Sequence, residues 1–322
     1  MLQWKKKGLL FNPKNISKKP EWFHEFAQAP NALIFKQFVR VYFCCRPKPD
    51  KNGSVVSYGN YVDLNRKNLF EIISTASNPV MSLGATGTFD EFGTYPISVV
   101  KVGSRILAYY GGWTRCESVP FNVAIGVSES FDEGKTFTRK AKGPVLSYSI
   151  DEPFVVTSPK IRIFNNVWYL FYSAGAEWFI SDGRPEIIYK IRMARSKDGL
   201  NWEKFNTNVI EDTLGPREAQ ASPDVIFKNG IYHLFFCYRA GEGFRNDKTK
   251  SYRIGYARSS DLINWKREDD KVGIDVSKDG WDSKMISYPH VFELDGEIIM
   301  LYLGNEFGRH GFGLAQLEGE LT

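Results

Sequence analysis

The amino-acid sequence predicts an all-β protein that folds as a single five-bladed β-propeller domain over residues 1–322. The first observation is a fixed period. The prolines that mark it, at intervals of 66, 63, 64 and 66 residues, are Pro30, Pro96, Pro159, Pro223 and Pro289. The second observation is a dense apolar run about ten residues after each proline. Because a unit of this size cannot bury its own faces and must stack on its neighbours, the period predicts five equivalent sheets around one axis.

Each unit is predicted to form a four-stranded antiparallel blade, because strand-like segments recur in it at fixed places. The proline phrase predicts the innermost strand, and the apolar run predicts the second strand, as in residues 106–110 and 168–172. A third segment follows, as in residues 123–127 and 254–258. Short apolar segments broken by Gly, Asn, Asp and Pro are typical of strands and turns, and helical periodicity is nearly absent.

A turn motif follows the third strand in three of the units. Residues 130–137 match the Asp-box pattern, and shorter variants stand at residues 196–202 and 259–265. In such a turn the Asp accepts hydrogen bonds from turn amides, a small residue permits the bend, and the aromatic residue anchors the next strand. The aspartates that we expect to be structural are Asp132, Asp198 and Asp261.

The two ends of the chain are expected to meet in one blade. The unit that begins at Pro289 stops after its third strand, near Gly319, whereas an extra strand-like segment, residues 4–11, precedes the first unit. Closed propellers often complete a blade with a strand from the opposite terminus, because this removes a free sheet edge. The ring is therefore predicted to be closed by the N-terminal strand.

The composition and charge of the chain argue against several classes of function. The net charge is only +5 and the basic residues are spread along the chain, which argues against a nucleic-acid partner. Histidines and cysteines show no metal-ligand spacing and no glycine-rich phosphate loop is present, so we expect neither a metal nor another cofactor. No stretch is long and apolar enough to span a membrane, and the first residues lack the apolar core of a signal peptide. These features predict a cytoplasmic protein without membrane insertion.

Carboxylates are the candidate catalytic groups, because an acid precedes each proline of the period by five to seven residues. Those acids are Glu25, Asp90, Glu152, Glu218 and Asp282. The loops before the innermost strands of a propeller converge on one funnel. Glycoside cleavage needs one protonated carboxyl group and one carboxylate there, and burial and mutual repulsion would separate their pKa values. From their surroundings, we select Asp90, Glu218 and Asp282 as the catalytic candidates.

Candidate substrate contacts lie beside these acids and at the starts of the innermost strands. Those beside the acids are Arg217, Gln220, Trp281 and Lys284. Those at the first position after a proline, where one face of the strand lines the axis, are Asn31, Lys160, Asp224 and His290. An aromatic content of 15% suits a carbohydrate partner, since aromatic faces stack on sugar rings. The alternative for every acid is structural: it caps backbone amides or pairs with a Lys or Arg of a neighbouring blade.

Three motifs carry a resemblance to a known group of enzymes. They are residues 87–93, which begin with Gly87-Thr88-Phe89-Asp90, residues 281–289, from Trp281 to Pro289, and residues 304–313, which begin with Gly304-Asn305. With the five proline-led units, they make the whole chain resemble the five-bladed propeller glycosidases, the arabinanase and β-xylosidase family with its invertase and levansucrase relatives. It is most similar to a group of propeller proteins related to those enzymes. The resemblance implies a glycoside hydrolase that acts on a saccharide in the central funnel with paired carboxylates.

The sequence departs from that family at the places of its catalytic groups. The family's base, an Asp directly before the first proline, is Ala29 here, and the Asp before the third proline is Ser158. The general acid, a Glu two residues before the fourth proline, is replaced by Ala221, with Glu218 three residues upstream. Either the catalytic acids are re-sited in the loops, or the ring is a carbohydrate-binding propeller that cleaves nothing. A glycoside phosphorylase or transglycosylase is a third alternative.

Overall fold

A computed structural model describes residues 1–321 of the protein. Its strands form five four-stranded antiparallel sheets, the blades of a β-propeller. Within the described residues, the helical segments are three short 3₁₀ turns, Pro13–Asn15, Asp269–Lys271 and Asn305–Gly308. The predicted all-β, five-bladed architecture is confirmed.

The strands are numbered in sequence order, and each blade is given from its innermost strand outwards. The first strand is β1 (Trp4–Phe11). Blade 1 consists of β2 (Glu25–Ile34), β3 (Phe38–Arg46), β4 (Tyr58–Asn65) and β5 (Asn68–Thr75). Blade 2 consists of β6 (Thr94–Val102), β7 (Arg105–Thr114), β8 (Asn122–Ser130) and β9 (Thr138–Arg139). Blade 3 consists of β10 (Val156–Phe164), β11 (Val167–Ser181), β12 (Arg184–Ser196) and β13 (Glu203–Lys204).

Blade 4 consists of β14 (Glu218–Lys228), β15 (Ile231–Ala240), β16 (Arg253–Ser259) and β17 (Lys266–Arg267). Blade 5 consists of β18 (Ser287–Leu294), β19 (Glu297–Leu303) and β20 (Phe312–Leu317), with β1 as its outermost strand.

The N-terminal strand closes the ring, as predicted. Strand β1 pairs antiparallel with β20, from Trp4 opposite Leu317 to Phe11 opposite Phe312. Trp4 and Phe11 are buried, and the ring of Phe11 stacks on that of Phe312 with centroids 5.4 Å apart. The strand thereby covers an edge of blade 5 that would otherwise expose unpaired backbone groups.

The prolines of the period mark a bulge in every innermost strand. A proline has no N–H to continue the ladder, and the register with the second strand shifts at this point in all five blades. The residue before the proline has a left-handed backbone, with φ of 51° or 52°, at Ala29, Ser158, Ser222 and Tyr288. The residue before the remaining proline of the period, Tyr95, is instead joined to that proline by a cis peptide bond. All five residues before the prolines line the space around the axis.

The Asp-box aspartates have the predicted structural role. Asp132 accepts hydrogen bonds from the amides of Lys135 and Thr136, each at 3.0 Å. Desolvation opposes its ionisation, but hydrogen bonds from Ser130 and Thr136 prevail and lower its pKa to about 2. Asp198 accepts equivalent bonds in its own turn, as does the third Asp-box aspartate. These carboxylates therefore stabilise turns at the rim of the ring.

Neighbouring blades are joined through the same turns. The hydroxyl of Tyr42 in blade 1 donates to the carbonyl of Gly134 in blade 2 at 2.9 Å, and Tyr109 in blade 2 donates to Gly199 in blade 3 at 2.7 Å. A side chain at Gly134 would collide with the tyrosine hydroxyl, since a Cβ there would lie 2.0 Å from it. The glycine of the Asp box thus permits the close approach of two blades.

Candidate functional site

A cavity of ≈ 300 Å³ lies on the axis, at the end of the ring where the innermost strands begin. All five blades contribute to its wall. Its aromatic residues are Tyr95, Trp113, Phe121, Tyr189, Tyr252 and Tyr288. Its hydroxyl-bearing small residues are Ser57, Thr157, Ser158 and Ser173, and its cation is Arg46. Among the residues that the structure describes, no Asp or Glu lines this cavity.

Two of the tyrosines reach the cavity because each stands directly before a proline of the period. The rings of Tyr95 and Tyr288 lie 6.0 Å apart, while Tyr189 comes from β12 and Tyr252 from the loop before β16. Burial raises the pKa of Tyr95, Tyr189 and Tyr288 well above the usual value. The hydroxyl groups therefore stay neutral near pH 7 and offer both hydrogen-bond donors and acceptors.

Trp113 and Phe121 add flat apolar surface to the wall. The indole nitrogen of Trp113 donates to Oγ of Ser57 at 2.6 Å, and the ring of Phe121 packs edge-on against Trp178 at 5.5 Å. These contacts hold the two rings in place. Sugar rings stack on such surfaces through their C–H faces, and ligand cavities commonly combine an apolar wall with a few polar groups.

Next to the cavity, the five prolines surround a smaller space of ≈ 20 Å³ on the axis. Ala29 lines this space, Ala221 lines the cavity, and Ser158 lines both. These are the three positions at which the family resemblance expects catalytic carboxylates. A methyl or hydroxymethyl side chain stands at each of them.

Four of the predicted substrate contacts meet in one buried cluster beside that smaller space. Oδ2 of Asp224 lies 2.7 Å from Nδ1 of His290 and 3.3 Å from Nζ of Lys160. The side-chain amide of Asn31 lies 3.4 Å from the same His290 nitrogen, and Arg162 pairs with the other oxygen of Asp224. The cluster therefore joins blades 1, 3, 4 and 5 at the axis.

The charges of this cluster are strongly coupled. Burial opposes ionisation of Asp224, but Arg162, Lys160 and His290 outweigh it and hold the pKa of the carboxyl group below its usual range. Burial lowers the pKa of Lys160 to about 8, even though Asp224 opposes this change. Burial, together with the charge of Lys160, lowers the pKa of His290 to about 4. A neutral His290 is consistent with donation from Nδ1 to Asp224, and its Nε2 has no hydrogen-bond partner among the described residues.

The predicted catalytic acids are buried within their own blades, and Asp90 shows the arrangement. Its side chain is almost fully buried. Its Oδ2 accepts hydrogen bonds from the hydroxyl of Tyr110 on β7 at 2.9 Å and from Nε of Arg139 on β9 at 2.6 Å. Thr88 donates to Oδ1 at 2.9 Å. The acid thus ties the loop before the innermost strand to two other strands of blade 2.

Asp282 and Glu152 repeat this arrangement in blades 5 and 3. Asp282 accepts from the hydroxyl of Tyr302 at 3.0 Å and from Nζ of Lys6 on β1 at 2.7 Å. Glu152 accepts from the hydroxyl of Tyr172 at 2.8 Å and from a lysine on β13 at 2.5 Å. In blades 2, 3 and 5 the tyrosine follows the acid by 20 residues. An acid, a tyrosine and an outermost-strand cation are therefore a repeated feature of the blades.

Glu218 is held by a different set of donors. Its carboxylate lies 2.6 Å from Nη1 of Arg267, and it accepts from the amides of Thr213 and Leu214 at 2.7 Å. The predicted contact Gln220 donates to it at 3.1 Å. Burial would raise its pKa, but Arg267 and the amides prevail and lower it. Glu218 is therefore a carboxylate near pH 7 and not a proton donor.

The remaining predicted contacts lie elsewhere on the same side of the ring. Arg217 forms ion pairs with Glu177 and Glu242 at 2.8 and 2.7 Å, in which all three side chains are exposed. Trp281 and Lys284 line a separate groove of ≈ 570 Å³. This groove also contains Phe244, whose ring lies 6.2 Å from Tyr252 of the central cavity.

Sequence reasoning did not select the residues that line the cavity. Tyr95 and Tyr288 carried a usable signal, because each precedes a proline of the period. Arg46 and Trp113 stand at or near the ends of the second strands of blades 1 and 2, and only the closed ring brings them together.

Two structural features, a helix that could span a membrane and a cluster of metal-ligating side chains, are absent from residues 1–321. No helix formed by these residues is sufficiently long and apolar to cross a membrane. The same residues contain no group of three or more His, Cys, Asp or Glu side chains that could hold a metal ion.

Comparison with known proteins identifies one sequence family and several structures of similar fold. No family model matches the sequence. "Uncharacterized protein Rv1502" of Mycobacterium tuberculosis (strain ATCC 25618 / H37Rv) is 34% identical over 320 residues, which cover 98% of this chain and 100% of that protein. Among solved structures, a "Glycoside hydrolase" is similar with a TM-score of 0.75 at 15% identity, covering 98% of this protein and 92% of the other. An exo-1,5-alpha-L-arabinanase from a bovine ruminal metagenomic library is similar with a TM-score of 0.62 at 13% identity, covering 93% of this protein and 95% of the other. An endo-arabinase from Bacteroides thetaiotaomicron VPI-5482 is similar with a TM-score of 0.63 at 11% identity, covering 98% of this protein and 99% of the other.

In fold, the protein is therefore similar to solved structures of a glycoside hydrolase and an endo-arabinase, and this five-bladed propeller is the fold that the resemblance implies. The solved structures share too little sequence with it to indicate more than this fold. By its identity along the full length, the protein belongs to the family of Rv1502 from M. tuberculosis.

Proposed function

We propose that the protein binds a saccharide in the cavity on its axis and does not cleave it. The observation that carries this proposal is the composition of the cavity wall, which has six aromatic side chains and several hydroxyl groups but no Asp or Glu among the described residues. Glycoside hydrolysis generally requires two carboxyl groups that flank the scissile bond. A wall of rings and hydroxyl groups suits recognition of a sugar.

The surroundings of the acids support the same proposal. The carboxylates of Asp90, Glu218 and Asp282 are each paired with a basic side chain of their own blade. Turning any of them towards a ligand would break an ion pair whose carboxylate is buried. Removal of one partner from a fully buried pair typically costs about 3–5 kcal/mol, and the partial exposure of Arg139 and Lys6 lowers this cost for Asp90 and Asp282. Retention of the acids in the blades is therefore the more stable arrangement.

A second candidate function is glycoside hydrolysis by Asp90, Glu218 and Asp282 in the central funnel. It is favoured by the names of two solved structures of similar fold, a glycoside hydrolase and an endo-arabinase. In this case substrate binding would have to rearrange the ion pairs of the acids.

One experiment separates the two candidates. The purified protein is screened on a glycan array, and every glycan that binds is titrated by calorimetry and then incubated for a prolonged period, with chromatography of the products. Saturable binding without products supports the binding function. Products that disappear in Glu218→Gln or Asp282→Asn would establish hydrolysis instead, and absence of binding to any glycan would overturn both.

The cavity variant Trp113→Ala and the control Phe131→Ala identify the binding site. Trp113 lines the cavity, whereas Phe131 is an exposed aromatic residue at an Asp-box turn. Weaker binding by the first variant alone is expected. Equal binding by both variants would place the saccharide outside the cavity.

A further inference from the structure

The cation of the central cavity has no counterion among the described residues. Arg46 is the last residue of β3, and its side chain lines the cavity. Its Nε is buried without a hydrogen-bond partner. No carboxylate oxygen of residues 1–321 lies within 4.0 Å of its guanidinium nitrogens, the distance that defines an ion pair. The guanidinium contacts the face of the Phe26 ring, with 4.9 Å between the central carbon and the ring centroid.

Several other guanidinium groups that are withdrawn from solvent have partners. Arg40 pairs with Asp63 at 2.7 Å, and Arg267 pairs with Glu218 at 2.6 Å. Removing a charge from water is costly unless the charge is paired. Arg239 has no carboxylate partner, but it donates to the carbonyls of Ala240, Gly241 and Ile187. Arg46 lines the cavity and has neither an anion nor a hydrogen-bond partner for its Nε, so its guanidinium group is available to a ligand there.

We propose that Arg46 recognises an anionic group on the saccharide, either a carboxylate or a phosphoryl group. This inference rests on the proposed function and names its ligand class, an acidic or phosphorylated glycan. The planar guanidinium group forms parallel hydrogen bonds with carboxylate and phosphate oxygens, which gives both strength and orientation. Since no described Asp or Glu lines the cavity, no acidic side chain of the wall cancels the positive potential of Arg46 or repels the ligand.

A second arginine lies over the Phe26 ring and provides a comparison for Arg46. Arg309 lies over the same ring, at 5.1 Å. Its side chain is exposed, and it lies 3.4 Å from Glu306 and 3.9 Å from Glu25. The two guanidinium groups thus share an aromatic neighbour and differ in their counterions and in access to the cavity. Arg309 is therefore the matched control.

The test is an array that carries neutral, uronic-acid-containing and phosphorylated glycans, probed with the wild-type protein, Arg46→Met and Arg309→Met. Glycans that bind are then titrated by calorimetry. We expect the wild type to bind an acidic class, and the uronic and phosphorylated members show which anion is recognised. Arg46→Met is expected to lose roughly 10- to 100-fold in affinity, because a hydrogen bond to a charged group is lost. Arg309→Met is expected to bind like the wild type.

Each contrary outcome has a distinct meaning. Binding of neutral glycans only, or binding of acidic glycans that Arg46→Met does not weaken, would overturn the role of Arg46 and leave saccharide binding intact. Absence of binding to any glycan would overturn the proposed function itself. Arg46→Lys keeps the charge but not the planar guanidinium group, and it is expected to recover only part of the affinity that Arg46→Met loses. Thermal melting of each variant separates lost recognition from lost folding.

Discussion

Replacement of Asp282 by asparagine is expected to destabilise the folded protein, because this acid links the two ends of the polypeptide. The residue is 3% exposed, and its carboxylate accepts hydrogen bonds from Lys6 at 2.7 Å and from Tyr302 at 3.0 Å. Lys6 belongs to β1, the strand that closes the ring. Asparagine keeps the shape but leaves the ammonium group without its anion and directs an amide towards it.

The magnitude follows from the burial of the two partners. Removal of one member of a buried ion pair costs about 3–5 kcal/mol. The Lys6 side chain is 24% exposed, so water compensates in part and we expect a loss of about 2–3 kcal/mol for Asp282→Asn. Tyr302→Phe removes only one hydrogen bond to a charged group, and its expected cost is about 1–2 kcal/mol.

The assay is equilibrium urea unfolding followed by far-ultraviolet circular dichroism. Asp279→Asn, an exposed acid of the same loop, is the matched control and is expected to unfold like the wild type. In a double-mutant cycle, Asp282→Asn and Lys6→Met are expected to be non-additive by about 1–3 kcal/mol. Stability within about 0.5 kcal/mol of the wild type, together with lost turnover of a glycan, would refute the structural assignment of this acid.

Three further predictions concern the cavity, the axis and the ring closure. Trp113→Ala is expected to weaken saccharide binding up to about tenfold in calorimetry, because one stacking surface is lost; unchanged affinity would argue against the cavity. Between pH 6.5 and 4 the free energy of unfolding is expected to fall by on the order of 2–3 kcal/mol, since unfolded His290 takes up a proton that the folded side chain, with a pKa of about 4, resists. His290→Gln should flatten this slope in urea titrations, whereas replacement of the exposed His24 should not. Deletion of residues 1–11 should abolish cooperative thermal unfolding, because β20 loses its partner strand, and a retained melting midpoint would contradict that role.

The propeller could be predicted from the sequence because its cause is local and repeated. A proline cannot donate to a strand ladder, so Pro30 and its four counterparts each mark the same bulge in an innermost strand. The Asp-box turns could be predicted for a similar reason, since Asp132 accepts hydrogen bonds from amides only a few residues away. Ring closure could be predicted from counting strands and from the cost of a free edge.

The site could be predicted only in part, because side-chain direction depends on contacts between distant segments. The sequence placed Asp90 and Asp282 in the loops before innermost strands, but it did not show that their side chains turn back into the blades. The tyrosine that follows each of them by 20 residues is a sequence signal for this arrangement. Arg46 and Trp113 share no local pattern, so only the closed ring shows that they line one cavity.

Occupation of the axial cavity by an intact saccharide can be observed in a crystal structure of the protein with the glycan that it binds on the array. We expect an uncleaved glycan in the cavity, with a sugar ring against Trp113 and an anionic group at Arg46, and with the ion pairs of Glu218 and Asp282 unchanged. A glycan that is cleaved, or whose glycosidic oxygen contacts Glu218 or Asp282, would contradict the account.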